Sequence, residues 1–262
     1  MTVLELREVS HNYFSKNGYT KALENISFSI ESGEFISLLG PSGCGKSTIL
    51  SIIARLLKNT SGEVLLHGDS LEKSNAEIGY MLQQDYLFPW KTVLDNVLLG
   101  PKIQKRNDEA LKDKAKQLLE EVGLGNVLTQ YPKELSGGMR QRAALVRTLI
   151  NNPEIFLLDE PFSALDFQTK LKLEDLVATI LKNYQKTAIL VTHDIGEAIA
   201  MSDRIIIMKA NPGRIASIYK VPEELRKLPP ILARKNEAFQ PLFDTIWHEI
   251  AEKKTEILGE AK

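Results

Sequence analysis

Polar and apolar positions alternate near the start of the chain. Ile26, Phe28 and Ile30 are interleaved with Ser27 and Ser29, the two-residue period of a half-buried strand. The first 35 residues as a whole read as strands, with Glu31-Ser32-Gly33 as a turn. From Phe35 to Leu39 the pattern becomes a continuous apolar run, which ends in a glycine-rich stretch from Gly40 to Gly45. Ile49, Ile52, Ile53 and Leu56 then recur at helical spacing, so this region is predicted as strand, glycine loop, helix. Leu111, Ala115, Leu118, Leu119 and Val122 mark one face of a charged helix between Asn107 and Glu121. Three further runs read as buried strands: Ile155 to Leu158, Ala188 to Val191 and Ile205 to Met208, with a helix from Thr169 to Asn183 between the first two. Continuous apolar runs alternating with helices predict an α/β protein with a parallel sheet covered on both faces. The last 40 residues read as helical, with Phe239, Leu242, Phe243, Ile246 and Ile250 as an apolar stripe. No internal repeat or low-complexity linker interrupts the chain.

Composition narrows the setting more than the chemistry. At 262 residues the chain is one large domain or two small ones. Its 43% hydrophobic and 26% charged residues are ordinary for a soluble globular protein. The 33 Lys and Arg balance 34 Asp and Glu to a net charge of −1, which gives no field for drawing in nucleic acid. A single cysteine, Cys44, excludes an internal disulfide framework and fits a reducing compartment. No run reaches 18 apolar residues, and a charge at Glu5 argues against a secretory signal, so the expected address is the cytoplasm.

The sequence Gly40-Pro41-Ser42-Gly43-Cys44-Gly45-Lys46-Ser47 fits the phosphate-binding pattern G-x-x-x-x-G-K-[ST]. Glycines let backbone N–H groups surround phosphate oxygens, and the helix that follows through Thr48 points its positive end at the same anion. Lys46 is placed to neutralise the β- and γ-phosphates, and the Ser47 hydroxyl to ligate Mg²⁺. The Cys44 thiol is given no role of its own. A second carboxylate for the metal comes at the end of the run Ile155-Phe156-Leu157-Leu158-Asp159-Glu160, where open α/β sheets place ligands. Neighbouring strand residues point to opposite sides, so the simpler assignment puts Asp159 on Mg²⁺ and Glu160 on the attacking water. In Leu135-Ser136-Gly137-Gly138-Met139-Arg140-Gln141-Arg142, Ser136 reads as an N-cap and the two glycines expose N–H groups at a second helix start, a second anion site.

This last stretch resembles the signature motif of ATP-binding cassette (ABC) ATPases, with Met139 where glutamine is commonest. The resemblance covers about residues 3 to 220. It implies a P-loop (RecA-like) core with an N-terminal antiparallel β subdomain and an inserted α-helical signature subdomain at about 88–150. The whole of 1–262 would then form one nucleotide-binding domain ending in a short helical extension at about 221–262. Further resemblances follow in the family's order. Ser163-Ala164-Leu165-Asp166 resembles the loop that lies across the cassette dimer. His193, 33 residues after Glu160, resembles the histidine that contacts the γ-phosphate and helps hold the water. Gln83, six residues before Pro89, resembles the glutamine that reaches Mg²⁺ and the water, and that spacing favours it over Gln84. Tyr13 matches the aromatic that stacks on adenine, with Phe14 as the other candidate. The family pattern implies two ATP molecules shared head-to-tail by two copies, each between one copy's P-loop and the other's Ser136-Gly137-Gly138.

A single cassette without membrane helices resembles an importer subunit that works with a separate permease. The segment from Asp85 to Val97, rich in aromatics, matches the region that receives the permease in this family. Phe88-Pro89-Trp90-Lys91-Thr92-Val93-Leu94-Asp95-Asn96-Val97, Asn211-Pro212-Gly213-Arg214-Ile215 and the short tail near Trp247 resemble the nitrate/sulfonate/taurine class of importer cassettes. That class implies a solute-binding protein, periplasmic or lipid-anchored, and a place at the cytoplasmic face of the membrane. The tail is too short for a large β-rich regulatory domain. A soluble cassette ATPase acting on DNA or ribosomes is the first alternative. It is disfavoured by the lack of a sustained heptad run and by the single cassette. A P-loop phosphotransferase is the second, and it has no use for Ser136-Gly137-Gly138.

Overall fold

The computed structural model describes every residue except 16–17, 75–76, 107 and 260–262, and side chains as far as Ala251. In chain order the elements are β1 (Thr2–Ser15), β2 (Gly18–Glu31), β3 (Phe35–Leu39), α1 (Lys46–Ile53), β4 (Ser61–Leu66), β5 (Asp69–Ser70) and β6 (Ile78–Met81). Then come α2 (Val93–Val97), α3 (Leu99–Ile103), α4 (Glu109–Glu121), α5 (Gly137–Leu149), β7 (Ile155–Asp159) and α6 (Phe167–Asn183). The chain closes with β8 (Thr187–Thr192), α7 (Ile195–Met201), β9 (Arg204–Lys209), β10 (Arg214–Lys220), α8 (Glu223–Arg226), α9 (Pro230–Ala233) and α10 (Phe239–Gly259). These elements form two compact units, residues 1–74 with 187–262, and residues 75–186.

The first unit carries two kinds of sheet. β1 pairs antiparallel with β2 and with β4, and β5 extends β4, giving the order β2-β1-β4-β5. The alternation seen in the sequence is real: Ile26, Phe28 and Ile30 are buried while Ser27 is exposed. The second sheet is built on β3, which lies parallel to β8 on one side and β9 on the other, with β10 antiparallel on β9. All five residues of β3 and all six of β8 are buried, and this is why their sequences are continuous apolar runs instead of alternating ones. The polar Ser37 at the centre of β3 is satisfied by the Ser202 hydroxyl at 2.5 Å.

One expectation fails here. Leu56 is not on the apolar face of α1 but exposed beyond its end. Arg55 adopts φ +60°, and the N–H groups of Arg55 and Leu56 turn back to the carbonyls of Ile52 (3.0 Å) and Ser51 (2.8 Å). That is a left-handed helix stop with an arginine where glycine is usual.

The C-terminal elements pack on the same unit. Ile195, Ala198 and Ile199 of α7 share a buried cluster with Leu39, Val221, Leu225, Phe239 and Ile246. The rings of Phe239, Phe243 and Trp247 form a stacked ladder along α10. α10 is also pinned by one carboxylate: Glu249 accepts from the Ser217 hydroxyl at 2.6 Å and the Tyr219 hydroxyl at 2.5 Å. The bond to Glu249, aided by burial, pushes the Tyr219 hydroxyl up to about 12.

In the second unit β6 and β7 pair in parallel, and α5 packs on β6 and on α6. A side chain on Gly79 of β6 would meet Thr148 and Pro153, so the glycine lets α5 lie close. Between β6 and α5 the chain carries α2, α3 and α4, joined by loops. α4 begins at Glu109 with Asp108 as its cap; Asn107, where the predicted helix starts, is outside the described residues.

Replacing Glu249 removes the acceptor for two buried-side hydroxyls. Glu249→Ala is expected to cost about 1–3 kcal/mol. It should lower the melting temperature and speed proteolytic cutting within α10 before global unfolding. An unchanged cutting rate would show that the apolar ladder alone holds the helix.

Candidate functional site

The glycine loop joins β3 to α1, and its backbone explains its residue types. Gly43 and Gly45 sit at φ +80° and +90°, the left-handed region that glycine enters without strain. A side chain on Gly40 would run into the carbonyl oxygen of Met208, and one on Gly45 into Leu23. Around Gly43 there is open space. The helix that follows differs from five of the others, while α3, α8 and α9 share its lack of a side-chain cap. Thr92, Asp108, Ser136, Asp166 and Asp194 cap α2, α4, α5, α6 and α7 with side-chain oxygens. α1 begins at Gly45 with no side-chain cap, so no capping oxygen competes with a ligand at this helix start.

Lys46 is only 6% exposed. Its ammonium donates to the carbonyls of Gly40 (2.7 Å) and Pro41 (3.0 Å) and lies 3.7 Å from the Cys44 sulfur. These partners are neutral dipoles, so the buried charge is solvated without being cancelled, ready for an anion. The Cys44 side chain is fully buried, and burial pushes its thiol up, against a smaller opposing effect from Lys46. That fits a packing role and no reactivity.

The loop is braced from far along the chain. A side chain on Gly213 would strike the carbonyl oxygens of Cys44 and Ala22. Gly213 N–H donates to Ala22 at 3.0 Å, and Glu24 N–H donates to Gly213 at 2.9 Å. Arg214 is paired with Glu24. The segment Asn211 to Ile215 is therefore a support under the glycine loop, a role that sequence reasoning missed.

Of the two aromatic candidates, Tyr13 is the one tied to α1, the helix after the loop. It is 44% exposed, its hydroxyl is 3.2 Å from Thr48 Oγ1, and its ring meets His11 edge-on at 4.6 Å. Phe14 leans instead on Tyr19. His193 is exposed at the end of β8 in the same unit.

The second unit brings together the remaining candidates. Asp159 ends β7 and accepts from the Tyr80 hydroxyl at 3.1 Å. Glu160 has left the strand. Its φ of +46° is rare for a residue with a side chain and costs of order 1–3 kcal/mol. Its carbonyl accepts from the N–H (3.2 Å) and hydroxyl (2.9 Å) of Ser163. Gln83 donates to that same hydroxyl at 3.1 Å, so Gln83 and the Glu160 turn share one partner. The Gln83 carbonyl in turn accepts from Gln141 of α5 at 3.0 Å. Ser136 caps α5 at the Met139 N–H (3.3 Å), and a side chain on Gly138 would collide with Thr169. Asp166 caps α6 at the Thr169 N–H (3.1 Å); a hydrogen bond with the Thr169 side chain, and after it this backbone bond, lowers its carboxyl below the usual range.

Ser47 in the first unit, and Gln83 and Asp159 in the second, each carry a hard oxygen of the kind Mg²⁺ takes beside phosphates. Among the described residues no cluster of three or more His, Cys, Asp or Glu suggests a different, all-protein metal cage.

The segment 85–97 is divided between core and surface. Leu87, Val93 and Val97 are buried, whereas Tyr86, Phe88 and Trp90 are exposed, Trp90 by 69%. Buried Asn96 holds the bend between them. Its oxygen accepts from Phe88 N–H at 2.7 Å, and its amide donates to the carbonyls of Phe88, Lys91 and Thr92. Arg147 of α5 grips the same segment through the carbonyls of Tyr86 (2.7 Å) and Asp85 (2.5 Å).

A P-loop on a β3–α1 unit, an acidic strand end and a serine-capped glycine helix start together define a nucleotide-hydrolysing cassette. Comparison with known proteins agrees. The family described as ABC transporter matches residues 23–163. The chain is 58% identical over 250 residues to an uncharacterized ABC transporter ATP-binding protein of Bacillus subtilis, YtlC, covering 95% of this chain and 96% of that protein. It is 43% identical over 242 residues to the aliphatic sulfonates import ATP-binding protein SsuB of Bacillus cereus (92% and 93% covered). It is 40% identical over 268 residues to the taurine import ATP-binding protein TauB of Roseobacter denitrificans (99% and 98% covered). Among solved structures, the dimeric cassette MJ0796 bound to ADP and Pi superposes with a TM-score of 0.74 at 34% identity, over 84% of this chain and 99% of that one. The chain belongs to the ABC transporter family and is an ATP-hydrolysing cassette of it.

Two outcomes follow from the loop. Gly213→Ala should displace the Cys44 backbone, with a stability loss of about 1–3 kcal/mol. ATP affinity should fall with it, read by titration calorimetry; unchanged affinity would remove Gly213 as a brace. Alkylation of Cys44 at pH 8.5 should be at least about tenfold slower in the folded protein than in urea. Because the raised thiol keeps a proton that the unfolded chain gives up, this group's contribution to stability falls as pH rises above the ordinary thiol range.

Proposed function

We propose that this chain is the ATP-hydrolysing subunit of a bacterial importer that takes up a small solute of the nitrate, sulfonate or taurine type through a separate permease. The observation that carries the reading is its similarity, over 92% of the chain for SsuB and 99% for TauB, to proteins named for sulfonate and taurine import. Among the described residues no helix is long and apolar enough to cross a membrane, so the permease is a different chain in this reading. The cassette then sits at the cytoplasmic face, and a periplasmic or lipid-anchored binding protein delivers the solute. The exposed rings of Tyr86, Phe88 and Trp90 support a permease contact at 85–97.

In this reading Tyr13 stacks on adenine, and the N–H groups of residues 40–48 with Lys46 hold the phosphates. Ser47, Gln83 and Asp159 would hold Mg²⁺, which when bound supplies positive charge for the β- and γ-phosphate oxygens. Glu160 orients and polarises the attacking water, and His193 contacts the γ-phosphate. Ser136, Gly137 and Gly138 serve the nucleotide of a second copy arranged head-to-tail, and Asp166 lies at that interface. Dimerisation of the solved cassette MJ0796 supports this arrangement. Most of the rate comes from positioning and electrostatics. Closure on ATP carries the helical stretch 88–150 with it, and hydrolysis lets the two copies part. The extension 221–262 is part of the same single domain.

Lys46→Ala should lose ATP binding or turnover. Glu160→Gln should still bind ATP but remain dimeric with turnover reduced at least about a hundredfold; wild-type turnover would end the assignment of the water to Glu160. The import reading is tested by tagging the chain in its native cell and identifying what co-purifies from detergent-solubilised membranes. A polytopic permease is expected; recovery with ribosomes or nucleic acid alone would overturn the reading.

A further inference from the structure

His193 is exposed, yet the residues on either side of it are fixed by a hydrogen-bonded ring. The Thr192 hydroxyl donates to Glu197 Oε2 at 2.5 Å and accepts from the Asp194 N–H at 3.0 Å. Asp194 Oδ1 accepts from the Glu197 N–H at 3.1 Å, which closes the ring. Thr192 and Glu197 are 2% and 3% exposed. Both anchors are rigid. Thr192 lies in register with Leu39, the residue before the glycine loop, and Glu197 sits in the first turn of α7, whose apolar residues belong to the buried cluster with Leu39 and Val221. A carboxylate this buried is costly unless hydrogen-bonded, and one of its bonds goes to the hydroxyl of the residue before the histidine.

We propose that Glu197 is a positioning residue for His193, acting through Thr192. The ring fixes the backbone on both sides of the histidine, so the imidazole leaves the end of β8 in one direction and meets the γ-phosphate without first having to be ordered. Thr192 serves as the hinge pin: its hydroxyl is the only group in the ring that both donates to Glu197 and accepts from the Asp194 backbone. The proposal rests on the assignment of His193 to the γ-phosphate given above.

The test is steady-state ATP hydrolysis by the purified chain in four forms: wild type, His193→Ala, Glu197→Ala and the double variant. His193→Ala and Glu197→Ala are each expected to lower kcat by roughly 10–100-fold. KM for ATP should stay within about twofold, because in this reading residues 40–48 carry most of the ground-state binding. The double variant should be no slower than His193→Ala, since the two residues act as one unit. Glu197→Gln, which keeps an oxygen that accepts from Thr192, should recover kcat to within about threefold of wild type. Multiplication of the two single effects in the double variant means that Glu197 merely supports the fold, and it overturns the proposal. Wild-type kcat in Glu197→Ala, or a Glu197→Gln as slow as Glu197→Ala, does so too. Should Glu197→Ala not fold, Thr192→Ser and Thr192→Val take its place: serine keeps kcat, and valine lowers it only when His193 is present. Wild-type kcat in His193→Ala is a separate failure, which removes the histidine's own role and with it this proposal.

Discussion

No helix can satisfy the N–H groups of its own first turn, and this chain treats that constraint in two ways. Five helices close their first turn with a side-chain oxygen from Thr92, Asp108, Ser136, Asp166 or Asp194. α1 does not. A capping serine or aspartate would compete with a phosphate for the same donors, so the residue at its start is a glycine at φ +90°. The loop before it is shaped by backbone packing instead of by side chains: Met208, Ala22 and Leu23 stand where side chains on Gly40, Gly45 or Gly213 would go. The N-terminal sheet and β9 thus wall the glycine loop closely enough to exclude side chains at these positions.

The same economy of side chains appears around the carboxylates. Asp159 remains on its strand, and Glu160 leaves it at the cost of a strained backbone, so two adjacent residues take different conformations. The pair is separated by conformation, not by distance along the chain. Ser163 ties the strained turn to Gln83, and Gln141 ties Gln83 to the helix that starts at Ser136. Residues recognised as separate motifs are therefore neighbours in one hydrogen-bonded line within residues 75–186.

Much of this was legible because the signals were local. The glycine loop, the apolar runs of β3, β7, β8 and β9, and the Ser136 cap each need only a few consecutive residues to be read. That Tyr13 and not Phe14 meets Thr48 was not legible from spacing, because the contact joins β1 to α1 across the fold. Leu56 fits a helical period but lies outside the helix, because Arg55 takes a left-handed conformation usually reserved for glycine. The brace at Gly213 and the anchors Thr192 and Glu197 were invisible for a different reason. Gly213 reaches the glycine loop from about 170 positions away, and Glu197 is distinguished from any first-turn glutamate only by being buried.

Asn96 and Arg147 hold the segment after Gln83 entirely by its backbone carbonyls and one N–H. The rings of Tyr86, Phe88 and Trp90 take no part in that scaffold. Shape and surface are thus encoded separately: the bend is written in two polar residues, while the exposed rings are free letters. Exchange of an exposed side chain costs little folding energy, typically within about 0.5 kcal/mol. One frame can therefore be refitted to differently contoured neighbours by successive neutral steps, a route by which a gene duplicate acquires a new assembly without first losing its fold.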